Sequence, residues 1–259
     1  MHNLRKYGNS PHRLAVIHGG PGARGEMAPV ARELARERGV LEPLQTATSL
    51  DDQVAELLRV LENHGVWPMT LLGFSWGAWL AYLVAARYPA LVDKLILVGS
   101  GPLEAHYAQT IGETRLARLP ATERHALKAL IAGLDDPHGD NDEALFARIG
   151  TLCTRADAYD PMKDTTRIDF DHDQFRTVWP EAASLRRSGD LLKLGKQIRC
   201  PVVAIHGDHD PHPALGVQGP LTEVLSDFRF YLLAHCGHKP WIERQARDRF
   251  FEILKKELF

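Results

Sequence analysis

The stretch "MTLLGFSWGAWLAYLVAARYP", residues 69–89, decides the fold. Its opening residues, Met69 to Phe74, form an apolar run that reads as a strand covered on both faces. From Trp76 a strongly apolar helical pattern follows, stopped by Pro89. Between the two, "GFSWG" (73–77) fits G-x-S-x-G, and a strand before it with a helix after it is the context such a match requires. That geometry is a sharp, strained turn. Gly73 and Gly77 let the helix approach the strand while Ser75 projects its hydroxyl at the helix N-terminus, which makes Ser75 the candidate nucleophile.

Working outward, short β-branched runs alternate with longer helical patterns, as parallel strands joined by crossover helices do. Upstream, "RLAVIH" (13–18) reads as a strand and "EMAPVARELARERG" (26–39) as a helical stretch closed by Gly39. "SLDDQVAELLRVLENHG" (49–65) reads as a helix with a Ser49 cap, acids in its first turn and a stop at Gly65. Downstream, "DKLILVGS" (93–100) is a further buried strand. The pattern resumes with the strand "CPVVAIHG" (200–207), a helix around "GPLTEVLSDF" (219–228), the strand "RFYLLA" (229–234) and an amphipathic helix from about Trp241 to Leu258.

Between these blocks helical signals take over. "TERHALKALIAGL" (122–134) sets Ala126, Leu127, Leu130, Ile131 and Leu134 on one stripe, "DDPHGDN" (135–141) is a loop, and "NDEALFARIGTLC" (141–153) starts on an Asn141 cap. The reading is an α/β core made of residues 1–101 and 190–259, interrupted by a helical cap at 102–189 that packs over one end of the sheet. Only about a dozen residues precede "RLAVIH", too few for a leading β-hairpin, so a mostly parallel sheet of about six strands flanked by helices is expected.

Composition excludes several classes. Apolar residues make up 44% and charged residues 25%, the profile of a globular protein. The net charge of -2, with acids and bases mixed along the chain, leaves no electrostatic footprint for nucleic acid or an anionic membrane. The apolar run near the N-terminus is too brief for a signal segment or a span, so a cytoplasmic location is expected. Cys153, Cys200 and Cys236 are odd in number and widely spaced, which suits free thiols, and nothing beside Cys236 is arranged to form a thiolate.

An activated serine needs a base, a group to hold that base, and donors for an oxyanion. The loop "HCGHKPW" (235–241) offers two histidines; His238, after Gly237, is the candidate base, and His235 lies closer to the strand end. The acid is expected between serine and histidine in chain order, after the preceding strand, where "VVAIHGDHD" ends. "HGGPG" (18–22) follows the first strand, and its glycines allow backbone N–H groups to turn toward a reacting carbonyl.

Taken in order, these motifs resemble the α/β-hydrolase family, serine-nucleophile branch. The resemblance implies an α/β-hydrolase fold, with Asp210, the last residue of the G-x-x-D in Gly207-Asp208-His209-Asp210, as the acid arm of a triad with Ser75 and His238. It further implies an oxyanion hole from the N–H groups of Gly20 and Trp76, two-step acyl transfer on a small-molecule ester or amide, and no cofactor. Serine at the turn sets the chain apart from the branches that use aspartate there. "HGGPG" with "GFSWG" most resembles the proline iminopeptidases, which recognise a free amine with cap acids; Glu181 is the one acid offered for that role, and its alternative is a helix-start glutamate.

"HGDHDPHP" (206–213) resembles a metal site at first sight. Its ligands would have to converge from one short stretch with two prolines, and the spacing fits no H-E-x-x-H or paired Cys/His pattern, so no metal is expected there. The acidic "DFDHD" (169–173) reads as a solvated loop. Two activities stand: an esterase or general carboxylic-ester hydrolase with a small cap, and an aminopeptidase of the iminopeptidase kind. A non-catalytic ligand-binding protein of the same fold is disfavoured by the complete Ser75, Asp210 and His238 set. Oligomeric state and the residues that set specificity are not encoded in any pattern of the chain.

Overall fold

Four apolar runs, each too regular and too buried to face water, build the centre of the sheet: β2 (His12–Ile17), β5 (Met69–Phe74), β6 (Val92–Val98) and β8 (Val202–Gly207). The computed structural model describes residues 3–134 and 143–259; the loop expected at 135–141 and the Asn141 cap lie outside them. Adding β1 (Leu4–Tyr7), β4 (Gly39–Pro43) and β9 (Phe228–Leu233) gives a seven-stranded sheet in the order β1-β4-β2-β5-β6-β8-β9. Every neighbouring pair is parallel except β1 with β4.

This is one strand more than about six, and the difference has two sources. The short N-terminal stretch does supply an edge strand, with Leu4 opposite Pro43 and Tyr7 opposite Val40. Gly39, read as a helix stop, instead opens β4, a strand buried along its whole length. The helix before it, α1 (Ala28–Leu34), is correspondingly shorter than its sequence pattern. A Cβ at Gly39 would lie 2.3 Å from the Asn9 carbonyl oxygen, so close backbone approach is what requires glycine there.

Helices cover both faces. On one, α2 (Leu50–His64) and α3 (Trp76–Arg87) pack with the odd-facing strand residues Ala15, Ile17, Leu71, Leu95 and Leu97. On the other, α1 and the C-terminal helix α11 (Arg247–Leu258) meet Leu14, Val16, Leu72, Ile96 and Ile205. Ser49 caps α2 as expected, accepting the Asp52 N–H at 3.2 Å. α3 buries every residue from Trp76 to Ala86, the property of a helix covered on all sides rather than laid on a surface.

The long stretch between β6 and β8 holds α4 (Ala105–Ala108), α5 (Ile111–Arg118), α6 (Ala121–Leu134), α7 (Glu143–Asp157), α8 (His172–Arg187) and α9 (Asp190–Lys193), of which α8, α9 and the turn after α9 pack on the outer side of α3. α5, α6 and α7 share a small core of Leu119, Leu127 and Ala156. α8 is seated in the main core through Val178 and Ala182, and its Trp179 stacks on Trp79 of α3 at 5.8 Å between ring centres. The "DFDHD" run is structured rather than a loop: β7 (Asp169–Phe170) pairs antiparallel with β3 (Ala23–Arg24), and Asp171 caps α8. Arg24 balances Asp169 and Asp171 at 3.1 and 3.5 Å. α10 (Leu215–Val224), between β8 and β9, begins ahead of the expected stretch and carries Pro220 within it. Among the described residues, no helix is long and apolar enough to cross a membrane.

Candidate active site

The carboxyl ends of β2, β5, β6, β8 and β9 lie along one edge of the sheet, and the loops leaving them carry all five sequence-predicted site residues. Ser75 sits between β5 and α3 with φ 53 and ψ -114, a region that a residue with a Cβ adopts only under strain. Its N–H is anchored to the Val98 carbonyl at 2.9 Å. The turn tolerates no larger neighbours: a Cβ on Gly77 would lie 2.3 Å from the Ile17 carbonyl, and one on Gly73 would lie 2.1 Å from the Gly77 carbonyl.

Asp210 and His238 meet across the ends of β8 and β9, with Asp210 Oδ2 accepting from His238 Nδ1–H at 2.7 Å. His238 is buried on a platform formed by Gly99, at the end of β6, and the Phe74 ring, whose centre is 4.8 Å from the imidazole. A Cβ on Gly99 would stand 2.9 Å from the His238 carbonyl oxygen, so the loop carrying His238 can pack this closely only against glycine. Nδ1 being committed to Asp210, Nε2 is left as the basic nitrogen.

The Asp210 carboxylate is shared more widely than the sequence suggested. Asp210 Oδ1 accepts from both the backbone N–H of His212 at 2.9 Å and its Nδ1–H at 2.7 Å, and His206 Nε2 lies 3.5 Å from Oδ2. His206 Nε2 also donates to the His212 carbonyl at 2.8 Å. His206 and His212, met in the sequence only as members of the "HGDHDPHP" run, therefore surround the carboxylate. Burial raises the Asp210 pKa, but attraction to His238, His212 and His206 outweighs it and holds the group well below the ordinary range. For His238, burial lowers the pKa while the charge and hydrogen bond of Asp210 raise it, and the net direction is upward. His212 goes downward, with burial the leading cause.

Polar atoms of Asp210, His212 and His238 all lie within 4.8 Å of one another, a spacing that a metal ion also needs. Only two of these come from "HGDHDPHP". The Asp210 oxygens already face imidazole and backbone N–H donors, which a cation would have to displace.

The "HGGPG" loop runs beside the Ser75 turn, since Gly77 touches the Ile17 and His18 carbonyls. His18 is fixed in one tautomer: Nδ1–H donates to the Gly19 carbonyl at 2.8 Å and Nε2 accepts from Gln45 N–H at 3.3 Å. Gly20 has φ 110. The backbone N–H groups of Gly20 and Trp76 donate to no described residue, and Trp76, as the first residue of α3, has no intrahelical acceptor in reach. The Trp76 side chain is buried, its Nε1–H bonded to Gln53, which in turn bonds Gln174 of α8.

The loop bearing His238 is held by groups that sequence reasoning missed. The Asp157 carbonyl accepts the His238 N–H at 2.9 Å, while the Asp157 carboxylate takes a two-pronged contact from Arg115 at 2.7 and 2.6 Å. The buried Glu243 carboxylate gathers the N–H groups of Gly237, Tyr159 and Asp160. His235 stands exposed with its Nδ1 3.0 Å from the Tyr159 hydroxyl, away from Asp210. Cys236 is buried and its thiol is pushed far up by burial, so it is an inert packing group. Glu181, exposed on α8, accepts the Leu50 N–H at 2.7 Å and so caps the start of α2, a different helix from its own.

Comparison with known proteins places this geometry in context. Residues 12–245 match the family described as alpha/beta hydrolase fold. A pimeloyl-[acyl-carrier protein] methyl ester esterase of Chromobacterium violaceum is 26% identical over 194 residues, covering 75% of this chain and 71% of the relative. A proline iminopeptidase of Lactobacillus delbrueckii subsp. lactis is 24% identical over 256 residues, covering 90% and 86% respectively. Among solved structures, VinJ superposes with a TM-score of 0.73 at 20% identity, covering 98% of this chain and 93% of its own.

Proposed function

The chain belongs to the α/β-hydrolase family, and from that premise we propose that it is a serine hydrolase acting on a small carboxylic ester through an acyl-enzyme intermediate. The observation that carries the reading is the 2.7 Å hydrogen bond between Asp210 and His238, which leaves Nε2 of the base free beside the strained Ser75 turn. In the proposed cycle His238 takes the Ser75 hydroxyl proton at Nε2, the alkoxide attacks the carbonyl carbon, and the N–H groups of Gly20 and Trp76 hold the resulting oxyanion. The protonated base then gives its proton to the departing alcohol. A water molecule, deprotonated by the same nitrogen, attacks the acyl-enzyme and releases the acid with Ser75 restored. No cofactor enters these steps.

The helices α4 to α9 are proposed to act as the cap over this site. The second reading, an aminopeptidase of the iminopeptidase kind, draws support from the named relatives of that activity. It loses its one offered amine anchor, because Glu181 is engaged with the start of α2. That engagement favours the ester. Purified protein assayed on para-nitrophenyl esters beside prolyl and alanyl amides, with Ser75→Ala as control, separates the two. Ester turnover that exceeds amide turnover and vanishes in Ser75→Ala is expected; turnover unchanged in the variant overturns the assignment.

A further inference from the structure

A cavity of about 510 Å³ opens on the α1 side of the molecule, and none of Ser75, Asp210, His238, Gly20 or Trp76 lines it. Its walls come from β1, α1, the segment ahead of β7 and the turn after His238. Trp241 closes its inner side and packs edge-on against Phe74 at 4.7 Å, so two aromatic rings separate this cavity from His238. Tyr7 lines another wall, with its hydroxyl turned away onto the buried Glu42 carboxylate at 2.6 Å.

The charge of this cavity is one-sided. Arg5, Arg32, Lys163 and Arg167 converge on it against one lining carboxylate, Asp164, one of whose oxygens already takes the Thr166 N–H. Arg5 is 3.6 Å from Glu42 behind the wall; Arg32, Lys163 and Arg167 form no ion pair among the described residues. With Glu42 and Asp164 counted, two positive charges remain in surplus on a chain whose net charge is -2. Arg32, Lys163 and Arg167, exposed and without an ion-pair partner among the described residues around this concave space, repel one another through water, and an anion that enters relieves the repulsion.

We infer that this cavity binds a soluble phosphate ester at a site separate from the hydrolytic centre. The volume falls within the usual range of small-ligand pockets, about 300–1,000 Å³. Arginine forks meet phosphate oxygens two at a time, and Arg5, Arg32 and Arg167 all line this space. A volume of about 510 Å³ leaves room beside a phosphate group for the rest of an ester.

Isothermal titration of the purified protein with ADP, pyrophosphate and adenosine tests the assignment. One ADP per chain is expected, weakened by added salt and displaced by pyrophosphate, with no heat from adenosine alone. Arg32→Gln with Arg167→Gln is expected to weaken ADP by about tenfold or more while ester hydrolysis and thermal midpoint stay as in the parent protein. Protein first inactivated at Ser75 with a phosphonate ester is expected to bind ADP unchanged. Absence of ADP binding up to about 1 mM overturns the proposal; so does equal binding of adenosine, or ADP binding that the double substitution leaves untouched. Retention on phosphatidylglycerol vesicles without ADP binding overturns it in favour of a lipid headgroup.

Discussion

Lys239, next in the chain to His238, forms a 2.6 Å ion pair with Glu26, whose other carboxylate oxygen accepts the Gly19 N–H at 3.2 Å. One carboxylate thus fastens the loop proposed to hold the oxyanion to the loop that carries the proposed base. Both side chains are nearly buried, and although burial lowers the Lys239 pKa, Glu26 outweighs it and raises it.

Lys239→Met is therefore expected to cost more than the deletion of a surface pair. It strands the Glu26 charge in a poorly solvated place, a change that costs about 3 kcal/mol or more for a buried pair. Denaturant unfolding should register that loss, and kcat should fall with KM little changed because the two loops drift apart. The double variant Glu26→Gln with Lys239→Met should recover part of the stability. A Lys239→Met protein as stable and as active as the parent would show that the pair merely decorates the surface.

The pH dependence follows from the directions found for His238 and Asp210. A base whose pKa is raised above the ordinary 6.5 is still protonated there, so kcat/KM should climb with pH along a limb centred above 6.5. The stability contribution runs the other way: the raised His238 pKa stabilises the fold fully below 6.5, and this is lost as pH rises through the folded value. Asp210, depressed in the fold, contributes stability above its ordinary 3.8 that is lost as pH falls. Above pH 6.5 activity should thus rise while the His238 contribution to stability declines. Asp210→Asn should lower kcat about 10⁴-fold, the scale for acid-to-amide changes in such triads, and move the limb to lower pH; Asp208→Asn should do neither. A limb centred below 6.5 in the parent protein would contradict the geometry.

The Ser75 turn offers a separation of stability from activity. At φ 53 and ψ -114 the serine Cβ is strained by about 1–3 kcal/mol, a cost that alanine keeps and glycine removes. Glycine gives back about 1 kcal/mol through the greater freedom of the unfolded chain. Ser75→Gly should therefore unfold at higher denaturant than Ser75→Ala, by about 1 kcal/mol, with both inactive. Equal stability of the two variants would remove the argument for strain.

Which parts of this molecule were legible in the sequence follows from where the signals are local. The β5-turn-α3 unit is written in consecutive residues, because a doubly covered strand, a tight glycine-flanked turn and an all-buried helix each leave an unbroken apolar signature. β4 is not, since "GVLEP" is short and its glycine serves a contact with Asn9 that lies far off in sequence. The edge strand β1 pairs only with β4, so missing one hides the other. His206 and His212 were visible as residues but not as neighbours of one carboxylate. Their convergence depends on the turn at Pro211 and Pro213, which folds the run back on Asp210. Asp157, Glu26 and Glu243 act on loops 80 or so, 200 or so and a handful of residues away, and each sits among charged or polar neighbours in the chain, so no local pattern marks it as buried.

Glu243 gives the sharpest structural prediction among these. It is fully buried, and its two oxygens accept three backbone N–H groups: Gly237 at 3.0 Å and Tyr159 at 2.9 Å on one, Asp160 at 2.8 Å on the other. Gly237 immediately precedes His238, while Tyr159 and Asp160 leave α7, so this side chain joins the helical segment to the loop of the proposed base. Glu243→Ala leaves three N–H groups without their acceptor, at about 1–3 kcal/mol each where water cannot reach. The expected loss is at least about 3 kcal/mol, read as a fall of roughly 6–12 °C in the thermal midpoint. Assayed well below that midpoint, kcat should fall about tenfold, because His238 keeps its Asp210 bond but loses the fixed backbone beneath it. Glu243→Gln retains one carbonyl acceptor and should fall between the two. A Glu243→Ala protein with the parent's midpoint would mean that solvent enters the loop and satisfies those N–H groups.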